Sequence, residues 1–404
     1  MEYNLYNGNC LDVMKTMEDN SVDSIVTDPP YGLSFMNKHW DYDVPKVEIW
    51  KEALRVLKPG GHLLAFAGTR TQHRMCVNIE DAGFEIRDMI AWVYGSGFPK
   101  SLNISKAIDK KFGAEREIVS EHTKSGIIKS GKLHSGSTKV GDVTTIKVTK
   151  SNTDLAKKWE GWGTGLKPAF EPITLARKPI EEKTITDNVL KYDTGAINID
   201  SGRILMEKDD FEFYKKQREN FIKSDAKHNY QKYGVNSFNK SVTTGTGKVN
   251  NTGRFPSNLI HDGSEEVEQI FPETTTGSLN SGYKASSENI FKYDSSNFSQ
   301  KSHTGSIGSI GSASRFFYCA KTSKRDRGEN NNHPTVKPTK LMRYLVKLIT
   351  PKDGICLDPF MGSGSTGKAC KLENFNFIGI DMESDYIDIA KERIEGVKVE
   401  PKLF

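Results

Sequence analysis

The tetrapeptide Asp28-Pro29-Pro30-Tyr31 brings a carboxylate, a stiff turn and an aromatic ring together. It follows an apolar run at residues 24–27, which predicts a short buried strand. Neither proline can donate a backbone hydrogen bond, and Pro30 holds Pro29 in an extended conformation. The Asp28 carboxylate and the Pro29 carbonyl are therefore two acceptors that point the same way. This combination suits a planar base with an exocyclic amino group, and the alternative is an ordinary proline-rich turn after a strand.

A second segment has the order strand, glycine-rich turn and helix. A strand is predicted at residues 355–357, and the turn occupies residues 358–367. This order opens a nucleotide-type site in a doubly wound α/β sheet. The next predicted strand ends at Asp381, 17 residues after Gly364. That offset is close to the roughly 20 residues expected for an acid that binds ribose hydroxyls.

The same turn has a competing interpretation as a phosphate-binding loop. Residues 362–368 fit the pattern Gly-x-x-x-x-Gly-Lys. However, Ala369 stands where such a loop has a Ser or Thr for magnesium. Asp358 also puts a negative charge where a triphosphate would lie. Both features disfavour an ATP or GTP hydrolase.

The two segments, in this order, resemble the amino-group DNA methyltransferases that form N6-methyladenine or N4-methylcytosine. The catalytic motif precedes the cofactor motif and a large insert separates them, which resembles the β-group permutation of that family. Asn9 stands where the family usually has Asp. Three further segments resemble the family: Asn7-Gly8-Asn9-Cys10-Leu11, Leu57-Lys58-Pro59-Gly60-Gly61-His62-Leu63 and Asn332-His333-Pro334-Thr335-Val336-Lys337-Pro338.

The resemblance implies an α/β fold: a Rossmann-like class I methyltransferase sheet with helices on both faces, circularly permuted, plus an inserted target-recognition region. Residues 1–105 and 316–404 would be the two halves of the catalytic domain, and residues 106–315 the insert that binds DNA. From periodicity, we predict strands near residues 24–27, 62–66, 86–92, 315–319, 355–357 and 377–380, and helices near 47–57, 72–82 and 384–394.

The resemblance also implies S-adenosyl-L-methionine as the cofactor, S-adenosyl-L-homocysteine as its product, and no metal. Asp28, Pro29, Pro30 and Tyr31 would be catalytic, with the Tyr31 ring stacked on a flipped-out base. By resemblance, Asp381 holds the cofactor ribose. The residues expected to contact the cofactor are Cys10, Asp28, His333, Thr335, Lys337, Asp358, Phe360, Gly362, Ser363, Gly364, Ser365, Thr366, Asp381 and Met382.

Residues 122–152 of the expected insert are strongly basic, with six lysines against one acid, Asp142. A charge run is typical of a solvated surface, but beside a site whose substrate is a polyanion we favour phosphate contacts. Trp159 and Trp162 are expected to be packing residues. The lysines predicted to contact DNA are Lys124, Lys129, Lys132, Lys139, Lys147 and Lys150.

Composition limits the function classes. The 404 residues carry a net charge of +5, which agrees with double-stranded DNA as the partner, and a homodimer is left open. The five cysteines form no Cys-x-x-Cys pair, which argues against a zinc site, and no Pro-Cys pair is present for methylation at cytosine C5. No apolar stretch is long enough to span a membrane, and no signal peptide is evident. We therefore expect a cytoplasmic protein, bacterial or phage-encoded.

The sequence thus predicts a site-specific DNA methyltransferase acting on adenine N6. N4-cytosine is the closest alternative, because within the family Asp-Pro-Pro-Tyr usually, but not always, accompanies adenine. A protein or RNA amide methyltransferase fits less well, because those sites usually begin with Asn. An alternative of another class is a DNA-binding protein that keeps the fold without activity.

Overall fold

The computed structural model describes residues 1–33, 42–97, 101–124, 144–206, 211–212, 253–275, 310–321, 326, 331, 333 and 335–398. Its strands are β1 (Tyr3–Asn7), β2 (Val22–Thr27), β3 (Leu57–Phe66), β4 (Glu85–Val93), β5 (Ile118–Lys124), β6 (Thr144–Thr149), β7 (Phe170–Arg177), β8 (Leu259–His261), β9 (Glu273–Thr275), β10 (Ile310–Ser312), β11 (Tyr318–Cys319), β12 (Ile355–Asp358) and β13 (Asn376–Asp381). Its α-helices are α1 (Cys10–Lys15), α2 (Val47–Val56), α3 (Gln72–Asp81), α4 (Ile104–Lys111), α5 (Asp154–Lys158), α6 (Ile185–Tyr192), α7 (Glu265–Glu268), α8 (Thr339–Ile349), α9 (Ser365–Glu373) and α10 (Ser384–Glu395).

The central sheet has nine strands in the order β1-β13-β12-β2-β3-β7-β4-β8-β11. Its neighbours pair in parallel except β7, which is antiparallel to both β3 and β4. β2 comes from the N-terminal part of the chain and β12 from the C-terminal part, yet they are adjacent. This arrangement confirms the predicted circularly permuted α/β sheet.

Helices cover both faces of the sheet, and each face has its own apolar core. Successive residues of β2 point to opposite faces, so Val26 packs in one core and Ile25 in the other. Helix α8 supplies the first core, and α2 supplies the second. Because both faces are covered, β2 is buried along its whole length, as expected for a central parallel strand.

A buried carboxylate ties the two halves of the chain together. Asp23, on β2, is 4% exposed. It accepts a hydrogen bond of 2.6 Å from Lys58 Nζ and one of 2.7 Å from the backbone N–H of Ile355. Because these donors lie on β3 and β12, Asp23 fixes β2 between its two neighbours.

Two of the sequence predictions need correction. In the segment predicted as a strand at residues 315–319, Ala313–Phe316 forms a 3₁₀ helix and only β11 pairs as a strand. The expected insert, residues 106–315, also supplies β7 and β8 to the central sheet, so it is not one continuous separate region. Its role in target recognition stays a prediction. The other predicted strands and helices are observed, with ends that differ by a few residues.

Part of the insert lies outside the sheet. Strands β5 and β6 pair as an antiparallel hairpin. Trp159 and Trp162, expected to be packing residues, are 36% and 60% exposed and contact each other edge to face. Within the described ranges, every helix is too short or too polar to cross a lipid bilayer.

Candidate active site

A cleft of about 2040 Å³ opens where β2 and β12 end. These strands are parallel neighbours, so Asp28, which follows β2, and Asp358, the last residue of β12, lie at the same edge of the sheet. A pocket for one small ligand typically has roughly 300–1,000 Å³. The cleft therefore has room for two ligands at once.

The Asp28 carboxylate has a donor on each oxygen. The Tyr31 hydroxyl donates to Oδ1 over 2.7 Å, and Lys337 Nζ donates to Oδ2 over 2.6 Å. Thr71 also holds the turn, because its Oγ1 donates a hydrogen bond to the Tyr31 carbonyl over 2.6 Å. The Tyr31 ring lies so close to Gly68 that a Cβ there would be 3.2 Å from it. The tetrapeptide is thus fixed by contacts on both sides.

A second carboxylate, Glu171, joins this cluster. Its Oε2 lies 3.2 Å from the Tyr31 hydroxyl and 3.3 Å from Lys337 Nζ. Glu171 lies on β7, opposite Trp92 of β4. It was not predicted as a site residue. The available signal was an acid at the start of the apolar run at residues 173–176.

Burial and charge together set the protonation of the cluster. Burial alone would lower the pKa of Lys337, but Asp28 and Glu171 raise it above its ordinary value. Burial raises the pKa of Tyr31 well above 10, and the same two carboxylates raise it further. Lys337 is therefore a cation and Tyr31 a neutral hydroxyl at neutral pH.

The glycine-rich turn is shaped by Asp381. Its Oδ2 accepts from the backbone N–H of Gly362 over 2.8 Å, and its Oδ1 accepts from that of Glu383 over 2.9 Å. Gly362 has φ +53°, and a Cβ there would come within 2.9 Å of His333 Nε2. The turn therefore needs glycine both for its conformation and for the approach of His333.

The Asp358 carboxylate accepts hydrogen bonds from groups within the protein. It is 2% exposed and accepts from Thr27 Oγ1 over 2.6 Å, from Thr366 Oγ1 over 2.5 Å and from the Phe360 N–H over 3.1 Å. Burial raises its pKa to about 7, although the hydrogen bonds act in the opposite direction and lower the pKa. Asp358 lines the cleft, but its side chain organises the turn.

The predicted catalytic residues all line the cleft, and so do all the residues predicted to contact the cofactor except Gly364. Gly364, with φ +76°, precedes α9, and a Cβ there would lie 2.7 Å from Ala390 Cβ. It therefore allows α9 to pack against α10. Cys10 lines the cleft at the start of α1, where Asn9 Oδ1 caps the helix by accepting from the Leu11 N–H.

The predicted DNA-binding lysines are only partly described. Lys129, Lys132 and Lys139 lie outside the described residues, and Lys124 ends β5. Lys147, on β6, has its Nζ 3.7 Å from Glu121 Oε1 and is 57% exposed. Lys150 is exposed just after β6. Their contacts to phosphate stay a prediction.

The residues of the cleft fit S-adenosylmethionine on the glycine-turn side. Asp381 is the last residue of β13, where an acid for ribose hydroxyls is expected, and the turn leaves no space for a side chain at Gly362. His333 and Tyr386 stand edge to face beside the turn, with ring centroids 4.6 Å apart. Among the described residues, no group of three His, Cys, Asp or Glu side chains could hold a metal ion.

A permuted α/β sheet with a glycine turn, a following acid and an Asp-Pro-Pro-Tyr motif on the adjacent strand defines a class I amino-methyltransferase. A sequence profile described as "DNA methylase" matches residues 22–392, and the chain belongs to this family, whose methyl donor is S-adenosylmethionine. The family includes both N6-adenine and N4-cytosine enzymes.

Individual proteins are similar to this chain at low sequence identity or over short segments. The Type II methyltransferase M.HindIII of Haemophilus influenzae is 22% identical, over 96% of this chain and 94% of its own length. M2.DpnII of Streptococcus pneumoniae is 44% identical over 63 residues, which are 16% of this chain and 24% of that protein. The solved PvuII DNA methyltransferase, described as cytosine-N4-specific, has a TM-score of 0.45 at 12% identity and covers 98% of this chain and 89% of its own.

Proposed function

We propose that the protein methylates the N6 amino group of adenine at specific sites in double-stranded DNA, in the cytoplasm of its host. The observation that carries the proposal is the position of Asp28. It stands at the head of Asp-Pro-Pro-Tyr, at the end of β2 and beside the glycine turn that follows β12. Thr27, the residue before Asp28, donates a hydrogen bond of 2.6 Å to Asp358, which supports close placement of the two half-sites.

The chemistry requires a better nucleophile, since the lone pair of an exocyclic amino nitrogen is delocalised into the ring. Asp28 and the Pro29 carbonyl would accept the two amino hydrogens and turn the lone pair toward the methyl group. Asp381 and the glycine turn would hold S-adenosylmethionine, which would supply a methyl group on a sulfonium; as the C–N bond formed, the electrons of the broken C–S bond would leave with a neutral thioether. Asp28 would then take one proton from the alkylated nitrogen and release it to solvent.

The target amino group cannot be reached inside a duplex, so the base must leave the stack at a cost of a few kcal/mol. Stacking on an aromatic ring is worth about 1–3 kcal/mol, and the Tyr31 ring lines the cleft for this role. The size of the cleft supports simultaneous binding of an extruded nucleotide and the cofactor.

The choice of adenine rests on Asp at the head of the motif, since Ser there usually accompanies N4-cytosine within the family. To test it, long unmethylated DNA made by amplification is incubated with the protein and methyl-labelled S-adenosylmethionine. The DNA is then digested to nucleosides and analysed by mass spectrometry. We expect N6-methyladenine; N4-methylcytosine instead would overturn the choice of base.

A further inference from the structure

The two donors on Asp28 create a problem for catalysis. The target amino group must reach an oxygen of Asp28, but Tyr31 occupies Oδ1 and Lys337 occupies Oδ2 in this structure. An ionised carboxylate has about four lone-pair sites, so Asp28 can still accept a further hydrogen bond, but each donor that it already holds makes it a weaker acceptor. Moving at least one donor when the base enters would therefore strengthen the hydrogen bond to the amino group.

Glu171 is placed to receive both donors. Tyr31 OH is 2.7 Å from Asp28 and 3.2 Å from Glu171, so a small rotation exchanges one acceptor for the other. Lys337 Nζ is 2.6 Å from Asp28 and 3.3 Å from Glu171. The two carboxylates are similarly exposed, at 22% and 20%, whereas the lysine side chain is only 8% exposed. An ammonium this enclosed needs a carboxylate partner at every stage.

We propose that Glu171 is a positioning residue that takes the Tyr31 hydroxyl and the Lys337 ammonium when the target base enters, and so opens Asp28 to the amino group. This inference rests on the proposed function. It assigns Lys337, expected to contact the cofactor, to the catalytic side of the cleft.

The exchange also has an electrostatic reason. Methyl transfer places positive charge on the target nitrogen, which is bonded to Asp28 at that moment. An ammonium held on the same carboxylate would repel that charge, and in a partly buried site the repulsion is strong. With Lys337 on Glu171, the negative charge of Asp28 faces the nitrogen alone.

The test combines two substitutions. Glu171→Met keeps the length of the side chain but removes the acceptor, so both donors stay on Asp28. We expect kcat to fall about tenfold to a hundredfold, with cofactor affinity by calorimetry almost unchanged. Tyr31→Phe removes the hydroxyl that occupies Oδ1. The double variant should therefore be faster than Glu171→Met alone.

A structural role for Glu171 would give the opposite result. If the two substitutions slow the enzyme independently, so that the double variant is slower than Glu171→Met, the proposal is overturned. A Glu171→Met variant as active as the unmodified protein would overturn it too. If that variant does not fold, Glu171→Leu also removes the acceptor, in a shorter apolar side chain, and the same comparison with Tyr31→Phe decides.

The matched control is Glu85→Gln. Glu85 lies on β4 and pairs with Arg177 at the other end of β7, over 2.6 Å, so its loss tests removal of an ion pair from the same sheet. We expect its kcat to be unchanged. The readout counts methyl groups on any base of long amplified DNA. A wrong choice of base would change the nucleoside product, whereas a wrong role for Glu171 would change only the comparison between variants.

Discussion

A single residue, Asp28, has two functions. Its carboxylate accepts hydrogen bonds from Tyr31 and Lys337 in this structure, and it would accept one from the target base during catalysis. The cofactor side of the cleft is built separately, from Asp381 and the glycine turn. Loss of the Asp28 side chain should therefore affect the two ligands very differently.

We predict that Asp28→Ala lowers methyl transfer by on the order of a thousandfold. Its affinity for S-adenosylmethionine, measured by calorimetric titration, should change only a few-fold. Asp154→Ala, which removes an exposed carboxylate from α5, is the control and should leave both quantities unchanged. A large loss of cofactor affinity in Asp28→Ala would mean that the catalytic and cofactor half-sites are wrongly assigned.

Asp358 gives a prediction on stability and pH. Burial raises its pKa from 3.8 to about 7, so the folded state holds the proton more tightly than the unfolded state. Its contribution to the free energy of unfolding is therefore complete below pH 3.8 and is lost as the pH rises through about 7.

Thermal unfolding of Asp358→Asn and of the unmodified protein between pH 5 and 8 tests this. The stability of the unmodified protein, relative to the variant, should fall as the pH rises. Other titrating groups are common to both proteins and cancel in the difference. A difference that stays constant across this range would contradict the assignment.

The residues that could be predicted from the sequence belong to short motifs. Asp28 to Tyr31 and the glycine turn are each contiguous in sequence, so their chemistry can be predicted from residue types and spacing. Glu171 could not be found in this way, because its contact with Tyr31 spans 140 residues and depends on how β7 enters the sheet. The position of Lys337 at the catalytic motif likewise depends on the contact of its Nζ with the Tyr31 hydroxyl, which is 306 residues away in the sequence.

At the scale of elements, the turn between β12 and α9 has two glycines with different duties. Gly362→Ala would push His333, which lines the cleft, so we predict weaker cofactor binding. Gly364→Ala would meet the backbone of α10 at Ala390, so we predict a loss of stability of about 1–3 kcal/mol.

Gly113→Ala is the matched control for both variants. Gly113 also has a left-handed conformation, with φ +63°, but no atom lies within 4 Å of a Cβ built there. Calorimetric titration and thermal unfolding of the three variants distinguish the effect of a strained left-handed backbone from the effect of a close contact with the new Cβ. Equal effects in all three would show that only the backbone conformation matters.

The sequence predicted most elements of the sheet but missed three of its strands, β1, β7 and β8. β7 contains Pro172, and a proline inside an apolar run normally argues against a central strand. Pro172 still takes part in backbone hydrogen bonding, since its carbonyl accepts from the Ala67 N–H over 3.0 Å. β8 has three residues, which is too short for a periodic pattern.

At the scale of the whole molecule, the hairpin β5–β6 carries a testable part of the expected DNA surface. If Lys147 and Lys150 contact phosphates, replacing both with Gln should flatten the slope of log affinity against log salt. Each lost contact should lower the slope by about 0.9, whatever the DNA sequence. Replacing the exposed Lys15 and Lys352 is the control, and an equal change there would show that only net charge matters.

The most direct test of adenine methylation at specific sites uses DNA from a methylation-free bacterial host that expresses the protein. Single-molecule sequencing maps modified bases in this DNA, with the same host expressing Asp28→Ala as the reference. We predict N6-methyladenine within one recurring sequence, absent from the reference. N4-methylcytosine in its place, or no modified base at all, would contradict the proposed activity.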